Sequence, residues 1–365
     1  MEFRIKKNLI IFTLIWALLT LAQESQADSY SYTTLSDPNL VPGVINANQT
    51  YADGINNSGQ VAGWFGNPAN YQGFVYDGST YTSLNVSSSI NSGWSTMAYA
   101  TGINNNGLIT GNYFNVAGGT SGFIDNGNTF TSINDPYAMY PQTYSMGIND
   151  HGVVAGYFYD NSSSQVISAG QNGPNSGYNG FIYDGATFTT IDDPHATTGS
   201  WATGINNNGE VVGYFGDANG GHGFVYNLQT IALYGLNGSI YGYMYAPTYT
   251  TLDDPNATAG TVATGINNNG DVTGYFINAT GTHGFFYNGS SYTTIDDPNA
   301  TAGTTKAIVI NDSGQIVGQY TDASGNTQSF IATPTSVPVP AAFWLFGSVL
   351  TGFMSIKKYR YFGNK

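Results

Sequence analysis

Through most of the chain, apolar and polar residues alternate in short runs that stop at Asn, Gly, Asp and Pro. Residues 263–297 show the unit most clearly. Ala263-Thr264-Gly265-Ile266-Asn267 reads as one strand, Asn268-Asn269-Gly270 as a turn, and Asp271–Phe276 as a second strand. His283–Tyr287 follows as a third strand, Asn288-Gly289 as a turn, and Ser291–Ile295 as a fourth. Alternation with period two between turn residues is the pattern of half-buried strands. Asn-Gly is the preferred two-residue hairpin signal, because both central residues must take φ > 0. The unit is therefore four short antiparallel strands.

The unit recurs. Gly-Ile-Asn stands at 54–56, 102–104, 147–149, 204–206 and 265–267, and Val309-Ile310-Asn311 is a sixth copy without the glycine. The isoleucines are 48, 45, 57, 61 and 44 residues apart. Repeats of about 40–50 residues with several strands each are the signature of propeller blades. The ends of the array say how it closes. Five copies finish with a Tyr/Phe-Thr-Thr/Ser-Leu/Ile strand, at 81–84, 130–133, 188–191, 249–252 and 292–295. The sixth stops at Ser329–Pro334 without one, and the missing strand stands at the start of the chain as Tyr32-Thr33-Thr34-Leu35. A ring closed by a shared strand removes two sheet edges that would otherwise invite aggregation. The sequence thus predicts an all-β, six-bladed β-propeller over residues 28–334 with an N-terminal closure strand.

Composition narrows the function. The chain has 365 residues, 22 acidic against 8 basic, and no cysteine. Between Asp28 and Pro340, Lys306 is the sole Lys or Arg, and 20 of the acids lie there. A phosphate backbone needs several Lys or Arg per site, so nucleic acid is not a partner this sequence can serve. Disulfides, thiol catalysis and Cys-ligated zinc are absent. With 28 Tyr, 20 Phe and 5 Trp the chain is also far too aromatic for an acidic disordered protein.

Both ends read as addresses. Residues 1–27 have basic Arg4, Lys6 and Lys7, an apolar run Leu9–Leu21, and Ser25-Gln26-Ala27 with small residues before a cleavage point: a signal peptide. Ala341–Ile356 is an apolar run followed by Lys357, Lys358 and Arg360, a transmembrane helix whose basic tail stays inside. The segment Val337, Pro338, Val339, Pro340, Ala341, Ala342, Phe343, Trp344, Leu345-Phe346-Gly347-Ser348 resembles the PEP-CTERM sorting signal of Gram-negative bacteria, in its VPxPAAxWLFGS subgroup. Val339 departs from the Glu of the family's name. The resemblance makes 335–365 a sorting domain. It implies processing by an exosortase, transient anchoring in the inner membrane, and release to the cell surface or the exterior, with ties to exopolysaccharide and biofilm. Residues 30–334 resemble HAF-type extracellular repeats, through His222-Gly223-Phe224 and His283-Gly284-Phe285 with their Gly-Ile-Asn-x-x-Gly units. Gln72, Ser121, Asn179 and Gln328 replace the histidine elsewhere.

No catalytic constellation stands out. Glu210 is the one glutamate of the central region, and nearly all other acids are aspartates in repeated turns, where Asp caps loops. A glycosidase needs two facing carboxylates. The Asp-Asp-Pro tracts at 192–194, 253–255 and 296–298 are hard oxygen donors of the kind calcium takes, without any known loop spacing for it. His222 and His283 hold equivalent places in adjacent blades and could approach each other near the axis, but no H-x-x-x-H or similar spacing supports a metal, and a structural or exposed role is favoured. The non-repeated aromatics are better binding candidates: Trp94, Trp201, and the Tyr234, Tyr241, Tyr243 and Tyr245 of an insertion at 228–248, although the same tyrosines can equally extend a blade hairpin and pack on it. Ring faces beside Asn and Asp suit stacking and hydrogen bonding to sugar. The sequence points to a non-enzymatic surface or matrix protein that binds exopolysaccharide or an envelope protein; a propeller-type glycan hydrolase or lyase is the alternative.

Overall fold

The computed structural model describes residues 29–36, 49–67, 70–84, 98–114, 118–138, 142–160, 177–234 and 240–335. The expected signal peptide and sorting domain, apart from Thr335, lie outside the described residues, as does Trp94. Nearly all the described residues belong to one unit, Tyr32–Thr333.

Among the described residues there are 24 strands, grouped by pairing into six sets of four. The first blade is typical. Its innermost strand Gln49–Ile55 pairs antiparallel with Val61–Asn67, that with Asn70–Tyr76, and that with the short outer Tyr81–Ser83. The other innermost strands are Ala98–Ile103, Thr143–Ile148, Gly199–Ile205, Gly260–Ile266 and Lys306–Ile310. In the last blade the order from the outside inward is Ser29–Leu35, Thr327–Thr335, Ile316–Thr321, Lys306–Ile310. The N-terminal strand thus supplies the outer strand that the sixth repeat lacks. Leu35, 2% exposed, fills its place in the core beside Phe74 and Val317.

Two repeated glycines follow from packing. Each third strand carries a fully buried phenylalanine: Phe74, Phe123, Phe181, Phe224, Phe285 and Phe330. Its ring lies over the glycine of the second strand, where a Cβ would come within 2.9 Å of Phe74 Cζ at Gly63 and 2.7 Å of Phe224 Cζ at Gly213. The glycine of Gly-Ile-Asn lets inner strands approach at the axis. A Cβ on Gly54 would sit 2.8 Å from Gly102 Cα of the next blade.

The Asn-Asn-Gly turn is a three-residue loop, unlike the two-residue turn at Asn288, whose N–H bonds Ser291 C=O. Asn267 N–H bonds Asp271 C=O, so three residues form the loop, and Gly270 takes the left-handed conformation at φ 83°. The cause is the first asparagine. Its Oδ1 accepts the N–H of Asn269 at 3.0 Å and of Asp271 at 2.9 Å, drawing the longer loop around it.

Candidate functional site

The asparagine of each repeat also closes the ring. Asn56 Nδ2 donates to Asn104 C=O at 3.2 Å, Asn104 to Asn149 at 2.8 Å, and Asn149 to Asn206 at 3.1 Å. Asn206 donates to Asn267 at 3.0 Å, Asn267 to Asn311 at 3.2 Å, and Asn311 returns to Asn56 at 3.0 Å. The next residues, Asn57, Asn105, Asp150, Asn207, Asn268 and Asp312, form a second circuit in which each backbone N–H donates to the following side-chain oxygen at 2.7–2.9 Å. Asp150 Oδ2 accepts an amide from both neighbours, Asn105 at 2.8 Å and Asn207 at 2.7 Å. Burial alone would raise its carboxyl, but these bonds outweigh it and hold it below the usual range. This end of the axial channel is lined by both circuits and is committed to holding blades together.

Beyond a girdle of Ile55, Ile103, Ile148, Ile205, Ile266 and Ile310, the channel continues through about 450 Å³. A β-bulge breaks every inner strand just before its glycine or Val309, and in the first four blades the bulged residue, Asp53, Thr101, Met146 or Thr203, lines the wall. Thr101, Thr203 and Thr264 are the bulged residues of three blades, and their hydroxyls donate to the next blade's backbone at 2.8–3.1 Å. In the first blade the bulged residue is Asp53. Its Oδ1 accepts Gln319 Nε2 at 2.7 Å and its Oδ2 accepts Trp64 Nε1 at 3.0 Å. Burial pushes its carboxyl up to about 7, against the pull of those two bonds.

At the opposite end from the asparagines, inner and second strands present half-buried aromatic pairs. Tyr51 stacks on Trp64 with centroids 3.8 Å apart, Tyr144 on Tyr157 at 4.8 Å, and Trp201 on Tyr214 at 4.7 Å. Tyr71 and Tyr178 meet them edge-on or tilted from the third strands. Contacts run between blades: Trp64 reaches Tyr99 at 6.0 Å and Tyr178 reaches Trp201 at 5.4 Å. Burial first, and neighbouring phenols second, raise the hydroxyls of Tyr99, Tyr157 and Tyr214, which marks how closely these groups gather. The last sector holds Lys306, whose Nζ lies 4.7 Å over the Tyr275 ring, and its cross-strand partner Gln319. The result is a collar of aromatic faces with polar tips around one channel mouth, with Asp53 below it.

Of the residues singled out in the sequence, Trp201 lies in this collar. The insertion does something else. It prolongs the third and fourth strands of its blade into the hairpin Gly221–Tyr234 and Ile240–Leu252, pairing Thr230 with Tyr245, Ala232 with Tyr243, and Tyr234 with Ile240. Tyr241 lies at the end of the same ladder. Val211 begins the second strand beside the asparagine turn and pairs with Tyr226, so the extension leaves from the asparagine end, away from the collar. The histidines are not near each other or the axis. They sit on third strands and reach outward to the inter-blade loops: His222 Nδ1 to Asp253 at 2.9 Å, His283 Nδ1 to Asp296 at 2.8 Å. Asp253 and Asp217 outweigh burial and raise the pKa of His222.

The second aspartate of each Asp-Asp-Pro tract caps its loop. Asp193 Oδ1 accepts His195 N–H at 2.9 Å, and Asp254 Oδ1 accepts Asn256 N–H at 2.8 Å. Among the described residues no three His, Cys, Asp or Glu gather to hold a metal.

No family model and no curated protein matches this chain. Solved structures do. A gluconolactonase from Xanthomonas campestris is 11% identical with a TM-score of 0.42, covering 84% of this chain and 90% of its own. The lectin of Aleuria aurantia, a six-bladed β-propeller that recognises fucose, is 10% identical with a TM-score of 0.39, covering 86% and 98%. At this distance neither likeness speaks to activity, and the six blades rest on the strand pairing.

Proposed function

We propose that this chain is an exported, exosortase-sorted surface or matrix protein whose propeller binds exopolysaccharide, without catalysis, through the aromatic collar. The observation that carries the binding reading is the collar itself. Three face-to-face aromatic pairs stay partly exposed around a channel mouth, where full burial in an apolar core would be the cheaper arrangement. Sugar rings stack their C–H faces on such surfaces, and Tyr hydroxyls and Gln319 supply hydrogen-bonding tips. The collar stands on rigid strands, so little ordering is required when a ligand arrives. The sorting reading is supported by the sequence motif at 337–348 alone.

Two experiments test the two halves. Retention of the purified chain on envelope and exopolysaccharide fractions is expected, with loss of retention in Tyr144→Ala and Trp201→Ala. No retention on any fraction refutes the binding role. Release of new reducing ends or unsaturated sugars from a retained fraction would instead favour the hydrolase or lyase. For sorting, intact mass is expected to show loss of both ends, near Ala27 and Val337–Pro340, only when the exosortase is present.

A further inference from the structure

Six near-identical repeats give a collar that could have been uniform, and it is not. Three of its departures lie where the last blade meets the first. Asp53 replaces the threonine that stands at the bulge in three other blades, and Lys306 and Gln319 stand where four of the five other blades place an aromatic side chain. Asp53 is held firmly, one donor to each oxygen, yet each oxygen keeps a further lone pair and the side chain remains open to the channel. Its charge has no cationic partner among the described ion pairs. A buried carboxylate without a counter-charge is costly, and that cost is relieved by any cation that reaches it.

We infer that the collar selects glycans bearing free amino groups, a hexosamine ammonium sitting among the aromatic faces and directed toward Asp53. The inference rests on the glycan-binding reading and names its ligand class. Aromatic faces attract ammonium ions, most strongly on Trp. The protein shows this in its own collar, where Lys306 lies over Tyr275 and is thereby occupied. The field agrees, since 20 acids and one lysine between residues 28 and 340 draw cations to the surface and repel uronates. Burial raises the Asp53 carboxyl, and an ammonium beside it would favour its charged form.

The test is a calorimetric and tryptophan-fluorescence titration of the intact chain with oligomers of glucosamine, N-acetylglucosamine and glucose of equal length. Glucosamine oligomers are expected to bind about tenfold or more tightly than either other series, the span of a hydrogen bond to a charged group. Asp53→Asn should abolish the preference, as should Asp53→Thr, which installs the residue that three blades already carry at this bulge. Asp184→Asn, an equal charge loss in an exposed outer turn, should leave the preference intact. Equal binding of all three series overturns the inference while sparing the glycan reading. An equal loss in Asp184→Asn overturns it too, since attraction would then be diffuse. Binding of none overturns both.

Discussion

Replacing Asn104 with alanine removes three hydrogen bonds at once. Its Oδ1 accepts the N–H of Asn106 at 3.0 Å and of Leu108 at 2.9 Å, and its Nδ2 donates to Asn149 C=O at 2.8 Å. The side chain is 4% exposed, so water replaces these partners poorly. Each bond contributes about 1 kcal/mol net, and an orphaned buried group costs about 1–3 kcal/mol. Three groups give a loss of about 3–5 kcal/mol. For a domain of this class that lowers Tm by roughly 6–12 °C. The neighbouring Asn105 is exposed and takes part only in the outer circuit, so Asn105→Ala should cost under about 1 kcal/mol. Thermal and urea unfolding of the two variants beside the parent chain decide the matter. A loss below about 1 kcal/mol for Asn104→Ala, or equal losses at both positions, would refute the claim that the inner circuit is what ties blade to blade.

Other consequences follow from the same contacts. Leu35→Ala, in the closure strand, should lose about 2–5 kcal/mol by urea unfolding, as for a core leucine anywhere; a loss within 0.5 kcal/mol would mean that the strand is not part of the barrier to opening. Gly213→Ala drives a Cβ into the Trp201 backbone carbonyl oxygen as well as onto the Phe224 ring and should lower stability by about 3 kcal/mol or more, whereas Ala at the open turn glycine Gly185, strained only by its φ of 95°, should cost about 1–2 kcal/mol. Stability should peak in mildly acid solution. Asp53 and Asp192 are pushed up to about 7 and Asp135 to about 6, all by burial first, so the folded state holds protons that the unfolded state releases. That stability is full below the ordinary carboxylate value and is lost as pH rises through about 6–7. The raised His222 acts in the same sense, losing its contribution above its own folded value. The lowered Asp150 and Asp322 act oppositely, and their contribution disappears only when pH falls below the carboxylate range. A Tm that climbs steadily from pH 5 to pH 8 would contradict this balance.

The blades were legible because each must repeat its own solution. Gly-Ile-Asn recurs since the inner strands touch at the axis and the asparagine must serve two blades; its glycine was replaceable only at Val309. The closure strand was legible as a missing piece, Tyr32–Leu35 standing alone at one end of the chain. The collar was not. Tyr51, Tyr99, Tyr144 and Trp201 each read as one polar-face residue of an alternating strand, and only the ring sets them side by side. Aligning the repeats on the bulge would have exposed that column, Tyr51, Tyr99, Tyr144, Trp201, Val262 and Lys306, together with Asp53 as the lone acid at the bulge. The insertion left two readings open, a binding loop or a longer hairpin. Its tyrosines are rich in sequence novelty, but register alone sends their hairpin out of the other end of the blade. The histidines' partners, Asp253 and Asp296, were not legible, because sequence equivalence does not convey how far the third strand lies from the axis.

The measurement that bears most directly on the central claim is oligosaccharide binding by the intact chain altered at one channel mouth at a time. Trp201→Ala opens the collar, and Asn57→Ala alters the exposed circuit at the asparagine end. The account predicts that binding of envelope oligosaccharides falls with the first and is unchanged with the second. Unchanged binding in Trp201→Ala together with loss in Asn57→Ala would place the ligand at the other mouth and contradict it.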